Sequence, residues 1–253
     1  MPSAEATPEL TGDNMSLNPI AVKENFIWTP RSVDAFEKML SSDRFATYLT
    51  SSNGDRVGAA QLYTWNTALS AAFYGPLQGL EVALRNAMHH QLSYTYGTDW
   101  FDNHASGLDA RTSREVAKAR AKLLKDKRID NPPNMVAILP IGFWTALLGK
   151  GGPLAAGGKA KYEMTLWRPG LYRAFPNKRL NRQAAYDRLA YLRNFRNRIA
   201  HHEPIFKRHM EKDFASILEV AGWISPETGA WISYYSRVLD LLAQSSGDSA
   251  LRF

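Results

Sequence analysis

In DRVGAAQLYTWNTALSAAFYGPLQGLEVALRNAMHHQLSYTY, Asp55 to Tyr96, apolar side chains return every three or four residues. Ala59, Leu62, Tyr63, Leu69, Phe73, Leu77, Leu80, Leu84 and Met88 mark the stripe. That spacing belongs to one face of an α-helix and not to the alternation of a strand. Gly75-Pro76 interrupts it, because proline has no N–H to give and its ring crowds the preceding turn. The stretch therefore reads as two helices or one kinked helix, with Gly97 as a natural stop.

The helical period governs the rest of the chain too. Ser32 to Leu40 reads as a short helix with Ser32 at its N-cap. Asp109 to Asp126 reads as a helix with Val116, Ala119, Leu123 and Leu124 as its apolar stripe. Asn131-Pro132-Pro133 separates it from Met135 to Leu148, two buried helical pieces divided at Pro140 and Gly142. Asn181 to His202 turns Ala185, Leu189 and Leu192 inward, and Pro204 ends it by pushing the preceding residue out of helical geometry. Arg208 to Trp223 and Pro226 to Leu242 read as two closing helices. No alternating pattern exceeds about five residues. The expected fold is all-α, an antiparallel helical bundle with additional short helices.

Residues 1–24 are poor in large apolar groups and are expected to form a disordered tail. Residues 25–244 are expected to form a single helical domain, and 245–253 a flexible polar tail. A chain of 253 residues is long enough for a full core. With no cysteine, disulfides, a thiol nucleophile and cysteine-ligated metal sites are excluded. The first residues lack the basic and apolar regions of a signal peptide. No apolar run reaches the roughly 18 residues of a membrane span. A cytoplasmic protein with no membrane partner is expected.

The net charge of +7 is unevenly spread. Arg111 to Arg128 holds eight basic residues against two acidic, a local +6; Lys159 to Arg182 holds seven against one, again +6. Such clusters are the electrostatic footprint of a nucleic-acid binder, or simply solvated helix faces. Arg111, Arg114, Lys118, Lys122, Arg168, Arg173, Lys178 and Arg179 are the candidate RNA-binding residues. Trp167, Tyr172 and Phe175 interleave with three of them, for core packing or for stacking on bases.

The chemistry concentrates in Arg193-Asn194-Phe195-Arg196-Asn197-Arg198-Ile199-Ala200-His201-His202-Glu203-Pro204. A cation able to hold a phosphate lies near a histidine able to move a proton near neutral pH, the minimal parts for cutting RNA without a metal. Arg-Asn-x3-His is expected by chance about 0.07 times in such a chain. It occurs twice, at Arg196-Asn197-x3-His201 and at Arg85-Asn86-x3-His90. The earlier copy lies mid-helix, where Glu81 four residues before Arg85 offers an ordinary intrahelical ion pair. That copy is structural or lines the same groove. The later copy sits at a helix end, where the backbone can leave ideal geometry and bring arginine and histidine into one cleft. Arg193, Asn197 and His201 share one helical stripe. The later copy is favoured as the active one.

RNFRNRIAHHEPIF resembles the signature of the Abi-like family, abortive-infection proteins of bacteria within the HEPN superfamily. GLEVALRNAMHHQLSYTYGTDWF and IGFWTALLG resemble that family's earlier and middle segments. The resemblance implies a HEPN-type bundle, a homodimer with its motifs at the interface, and metal-independent endoribonuclease activity in phage defence or a toxin–antitoxin setting. It also admits a non-catalytic RNA- or nucleotide-binding module acting as a regulator or scaffold. By the resemblance, Arg196 would hold the scissile phosphate, Asn197 orient a neighbour, and His201 act as general acid or base. His202 fits the looser spacing equally. Arg193, Arg85, Asn86 and His90 are accessory candidates, and Glu203 is either a tuner of histidine or a surface acid. RNA is the implied partner, together with an antitoxin or a phage trigger. No cofactor is implied.

The remaining features read plainly. His104 and His209 are isolated, and no His-x3-His or carboxylate cluster points to a metal. Gly149 to Gly158, with five glycines, lacks the Gly-Lys-Ser/Thr of a phosphate loop and reads as a mobile loop, at the substrate groove if it has a role. Trp100, Phe101, Phe143, Trp144, Trp223 and Trp231 read mostly as core.

Overall fold

The computed structural model describes residues 26–253, so the expected N-terminal tail lies outside the described residues. These residues form ten α-helices: α1 Pro30–Leu40, α2 Ser42–Ser51, α3 Arg56–Tyr96, α4 Ala110–Lys125, α5 Pro132–Ile138, α6 Ile141–Ala146, α7 Arg182–Ala200, α8 Met210–Ile224, α9 Pro226–Tyr235 and α10 Val238–Ala243. Single turns of wider or tighter helix, Glu163–Trp167 and Leu171–Ala174, bridge α6 to α7. Among the described residues there is no strand, only an isolated bridge between Pro153 and Lys159. The all-α expectation holds.

α3 is the spine. It runs 41 residues without a break, about 60 Å at 1.5 Å per residue. Pro76 is buried inside it, so the two-helix alternative does not apply. Asp55 caps its start by accepting the Val57 N–H, and Gly97 at φ 91° ends it. Leu69, Phe73, Leu77, Leu80, Leu84, Met88 and Leu92 are buried along one side. α7 runs antiparallel to it. The chain descends along α3 from Gly170, at the Leu171–Ala174 turn, against Thr95, to Phe195 of α7 edge-on to Phe73, to Ile205 at Asn66.

Two clusters of buried side chains result. The larger joins α3 to α4–α10 and includes Trp100, Phe143, Trp144, Leu189 and Phe195. The smaller holds Val33, Phe45, Tyr48, Ala59 and Ala60 from α1, α2 and the start of α3. Phe206, beyond α7, packs against the smaller cluster, its ring 5.2 Å from that of Tyr48.

Several local expectations are corrected. α1 is capped by Thr29 and not by Ser32: the Thr29 hydroxyl accepts the Ser32 N–H while the Ser32 hydroxyl accepts the Thr29 N–H. α2 was not anticipated; it is mostly polar and buries only Phe45 and Tyr48. On α4, Val116, Ala119 and Leu123 are buried, but Leu124 is 80% exposed and Thr112 takes its inward place. The closing helix is two, α9 and α10, separated where Ser236 adopts extended backbone. Leu251 is buried in the larger cluster, so the C-terminal segment is docked at that point.

The glycine-rich loop is held shut as well. Asp109 caps α4 through Thr112 and accepts the Gly152 N–H at 2.8 Å. The Tyr162 hydroxyl accepts the Asp109 N–H at 2.9 Å and meets the Thr112 hydroxyl at 2.8 Å. Burial pushes the Tyr162 phenol up to about 12. Gly151 is at φ 82°, and a Cβ there would fall 2.6 Å from the Ala160 carbonyl oxygen, so only glycine fits.

Candidate active site

The end of α7 sets the site. Glu203 N–H bonds the Arg198 carbonyl and His202 N–H the Ile199 carbonyl, at 2.8 and 3.0 Å. These are the paired bonds of a Schellman turn, which places the residue after the cap in left-handed backbone. That residue is His202, at φ 55°, where glycine is usual. Arg198 braces the turn, bonding the Pro204 carbonyl at 3.0 Å and lying 3.5 Å from the Glu203 carboxylate. Glu203 therefore answers Arg198 and no histidine.

Two further contacts hold the turn from outside. Arg44 of α2 donates to the His202 carbonyl at 2.9 Å. Buried Asn66 of α3 accepts the N–H groups of Ile205 and Phe206 through one oxygen, at 2.8 and 3.1 Å. Sequence reasoning missed both. Asn66 lies within the strongest helical stretch, and no local pattern announces a partner 139 residues away.

Between α3 and this turn lies a groove of about 860 Å³. α3 contributes Thr67, Ser70, Ala71, Tyr74, Leu77, Gln78, Glu81, Val82 and Arg85; the α7 end contributes Arg196, Ile199, Ala200 and His202. The two Arg-Asn copies thus send their arginines into one groove from two helices. Glu81 lies there with them, its carboxylate 3.8 Å from Arg196 Nε. The expected Glu81–Arg85 pair is replaced by this contact. Arg85 donates instead to the Ala137 carbonyl at 3.2 Å, and its Nε is buried with no partner.

The sequence left the two histidines open, and the structure places them differently. His202 lines the groove, whereas His201, the α7 cap, does not. With left-handed backbone at His202, the second histidine and not the first lines the groove that Arg196 also lines. Arg193, Asn197 and His201 form a neighbouring stripe outside the groove lining, and Arg193 bonds Asn194 at 3.3 Å. In the earlier copy Asn86 and His90 are exposed, and His90 contacts the Gln91 amide at 3.3 Å. His89 is structural. Its Nδ1 accepts the Trp100 indole N–H at 3.0 Å, and burial followed by the nearby His90 holds it below the ordinary histidine range.

None of the eight basic candidates lines the groove. Arg111, Arg114, Lys178 and Arg179 are exposed. Lys118 pairs with Glu115 at 2.9 Å, Lys122 with Asp126 at 2.8 Å and Arg168 with Glu163 at 3.1 Å. Arg173 lies 4.8 Å over the exposed Tyr172 ring. Trp167 and Phe175 are buried against each other, so the core alternative applies to both. Among exposed aromatics sequence reasoning missed Tyr74, in the groove, and it had Trp231 as core although that ring is 54% exposed.

Among the described residues no three His, Asp or Glu side chains converge as a metal-binding group, and no helix is long and apolar enough to cross a membrane. Comparison with family models, with curated proteins and with solved structures finds no match to this chain, so its chemistry is read from the groove itself.

Proposed function

We propose that this chain is a metal-independent endoribonuclease of the Abi-like HEPN type, working in bacterial abortive infection. The observation that carries the proposal is the convergence of Arg85, Arg196 and His202 on one groove. Two guanidiniums on facing helices suit a phosphate, and they stabilise the charge that develops on it. His202 takes the proton of a ribose 2′-OH as its oxygen attacks the adjacent phosphorus. The O2′–P bond forms and the P–O5′ bond breaks; water protonates the leaving oxygen. The products are a 2′,3′-cyclic phosphate and a 5′-hydroxyl. Glu81 occupies Arg196 until substrate displaces it.

That same contact favours a second reading, a non-catalytic RNA-binding module, because a neutralised Arg196 is a weaker phosphate clamp. One experiment separates the two. Purified protein is incubated with total bacterial RNA in EDTA, and the product ends are mapped. Wild type should give cyclic-phosphate ends. Arg196→Ala and His202→Asn should lose about 100-fold or more in rate, while His201→Ala retains activity. Asparagine tolerates left-handed backbone, so His202→Asn removes the proton-transfer group and keeps the turn. Intact RNA from every protein, with salt-sensitive binding, would support the binding module and overturn the nuclease.

A further inference from the structure

Glu81, Arg85, Arg196 and His202 leave much of the groove unused. The α3 side nearer its N-terminus is neutral: Thr67, Ser70, Ala71, Tyr74, Leu77 and Gln78. Tyr74 stands out there because its ring is 65% exposed and lines the groove. Along α3 it lies between Asn66, which bonds the Ile205 and Phe206 N–H groups beyond the turn, and Glu81, which meets Arg196. The axial separations are about 12 Å and about 10 Å, at 1.5 Å per residue. An aromatic ring thus shares the groove with Arg196 and His202, the two groups that would act on a phosphate.

We propose that Tyr74 stacks the base of the nucleotide being cut and that Gln78, one turn further on, reads that base's edge. That the stacked nucleotide is the one cut rests on the nuclease reading; the stacking itself does not. A groove of about 860 Å³ is the size of a site for a small organic molecule. It admits a nucleotide or two and not a double helix, so the base that enters must be unpaired. A phenol ring offers any base a face, while the Gln78 amide offers one donor and one acceptor edge to discriminate among bases. The chemical class recognised is an unpaired RNA nucleotide within a longer strand.

The test is fluorescence anisotropy of the full chain with a short fluorescein-labelled single-stranded DNA. Lacking 2′-hydroxyls, that probe cannot be cut. Tyr74→Ala should weaken binding about tenfold, since a stacked base contributes about 1–3 kcal/mol. Tyr74→Trp should keep the affinity. Tyr234→Ala removes a ring that is 81% exposed but lies off the groove, and it should leave binding unchanged. In RNA cleavage, Tyr74→Ala should raise KM with kcat little altered, and Gln78→Ala should shift which base precedes the cut. If Tyr74→Ala binds like wild type, or loses no more than Tyr234→Ala, the stacking site is wrong even if RNA is cleaved. If Tyr74→Ala weakens binding while no RNA is ever cut, the stacking site stands and the nuclease reading falls.

Discussion

At His202 a side chain wanted in the groove sits on a backbone that would rather carry glycine. Left-handed geometry costs an L-residue about 1–2 kcal/mol, and the Schellman bonds from Glu203 and His202 hold it there. His202→Gly should therefore stabilise the chain by about 1 kcal/mol, raising Tm by about 2–4 °C. Its RNA cleavage should fall as far as that of His202→Asn. Thermal melts beside cleavage assays check the pair of effects, and a destabilised His202→Gly would show that the turn carries no strain. This residue was legible in part. The sequence displayed two adjacent histidines and the proline that follows, but which histidine turns inward depends on one backbone angle at the helix end. No side-chain periodicity reports that angle.

At the scale of elements, α3 and α7 were readable because each buries a stripe spaced at the helical period, a purely local property. The Gly75-Pro76 interruption left one helix or two open, and one forms because Phe73, Pro76 and Leu77 are all buried there, so core packing outweighs the lost backbone bond. α2 escaped notice because its polar sequence has little of its own to bury, and α3 supplies the surface it packs on. What joins elements was not legible at all: Glu81 meeting Arg196, Arg44 reaching His202, Asn66 holding the loop. Asn66 is the clearest instance. Its oxygen satisfies two backbone N–H groups, and it is itself only 5% exposed. Asn66→Ala leaves both donors unpaired and should destabilise by about 2–3 kcal/mol in urea titration. Cleavage should drop as well, because the loop carrying His202 loses its seat. A variant as stable as wild type would mean the loop is held by other contacts.

At the scale of the whole molecule, the two basic stretches begin side by side, since Asp109 and Thr112 at the start of α4 bond Gly152 and Tyr162. Their net charge was legible, but their distance from the groove lining was not, because it follows from how α4 packs. Global stability has its own proton switch in His89. Its imidazole is held below the ordinary value near 6.5, so the neutral form is the one the fold favours. The contribution is therefore complete above about pH 6.5 and is lost as pH falls through the lowered folded value. Urea midpoints should decline on acidification from about pH 7 to pH 5, and less steeply in His89→Gln. Equal slopes would remove His89 from that role. The turn bearing His202 leans on the smaller cluster twice, through Arg44 and through Phe206 on Tyr48. That cluster has few buried side chains, so it is the part expected to open first on local fluctuation. Amide exchange should be fastest in α1 and α2, and the proposed cleavage would then switch off on mild warming while most of the helical signal persists, a built-in thermal fuse in the smaller cluster.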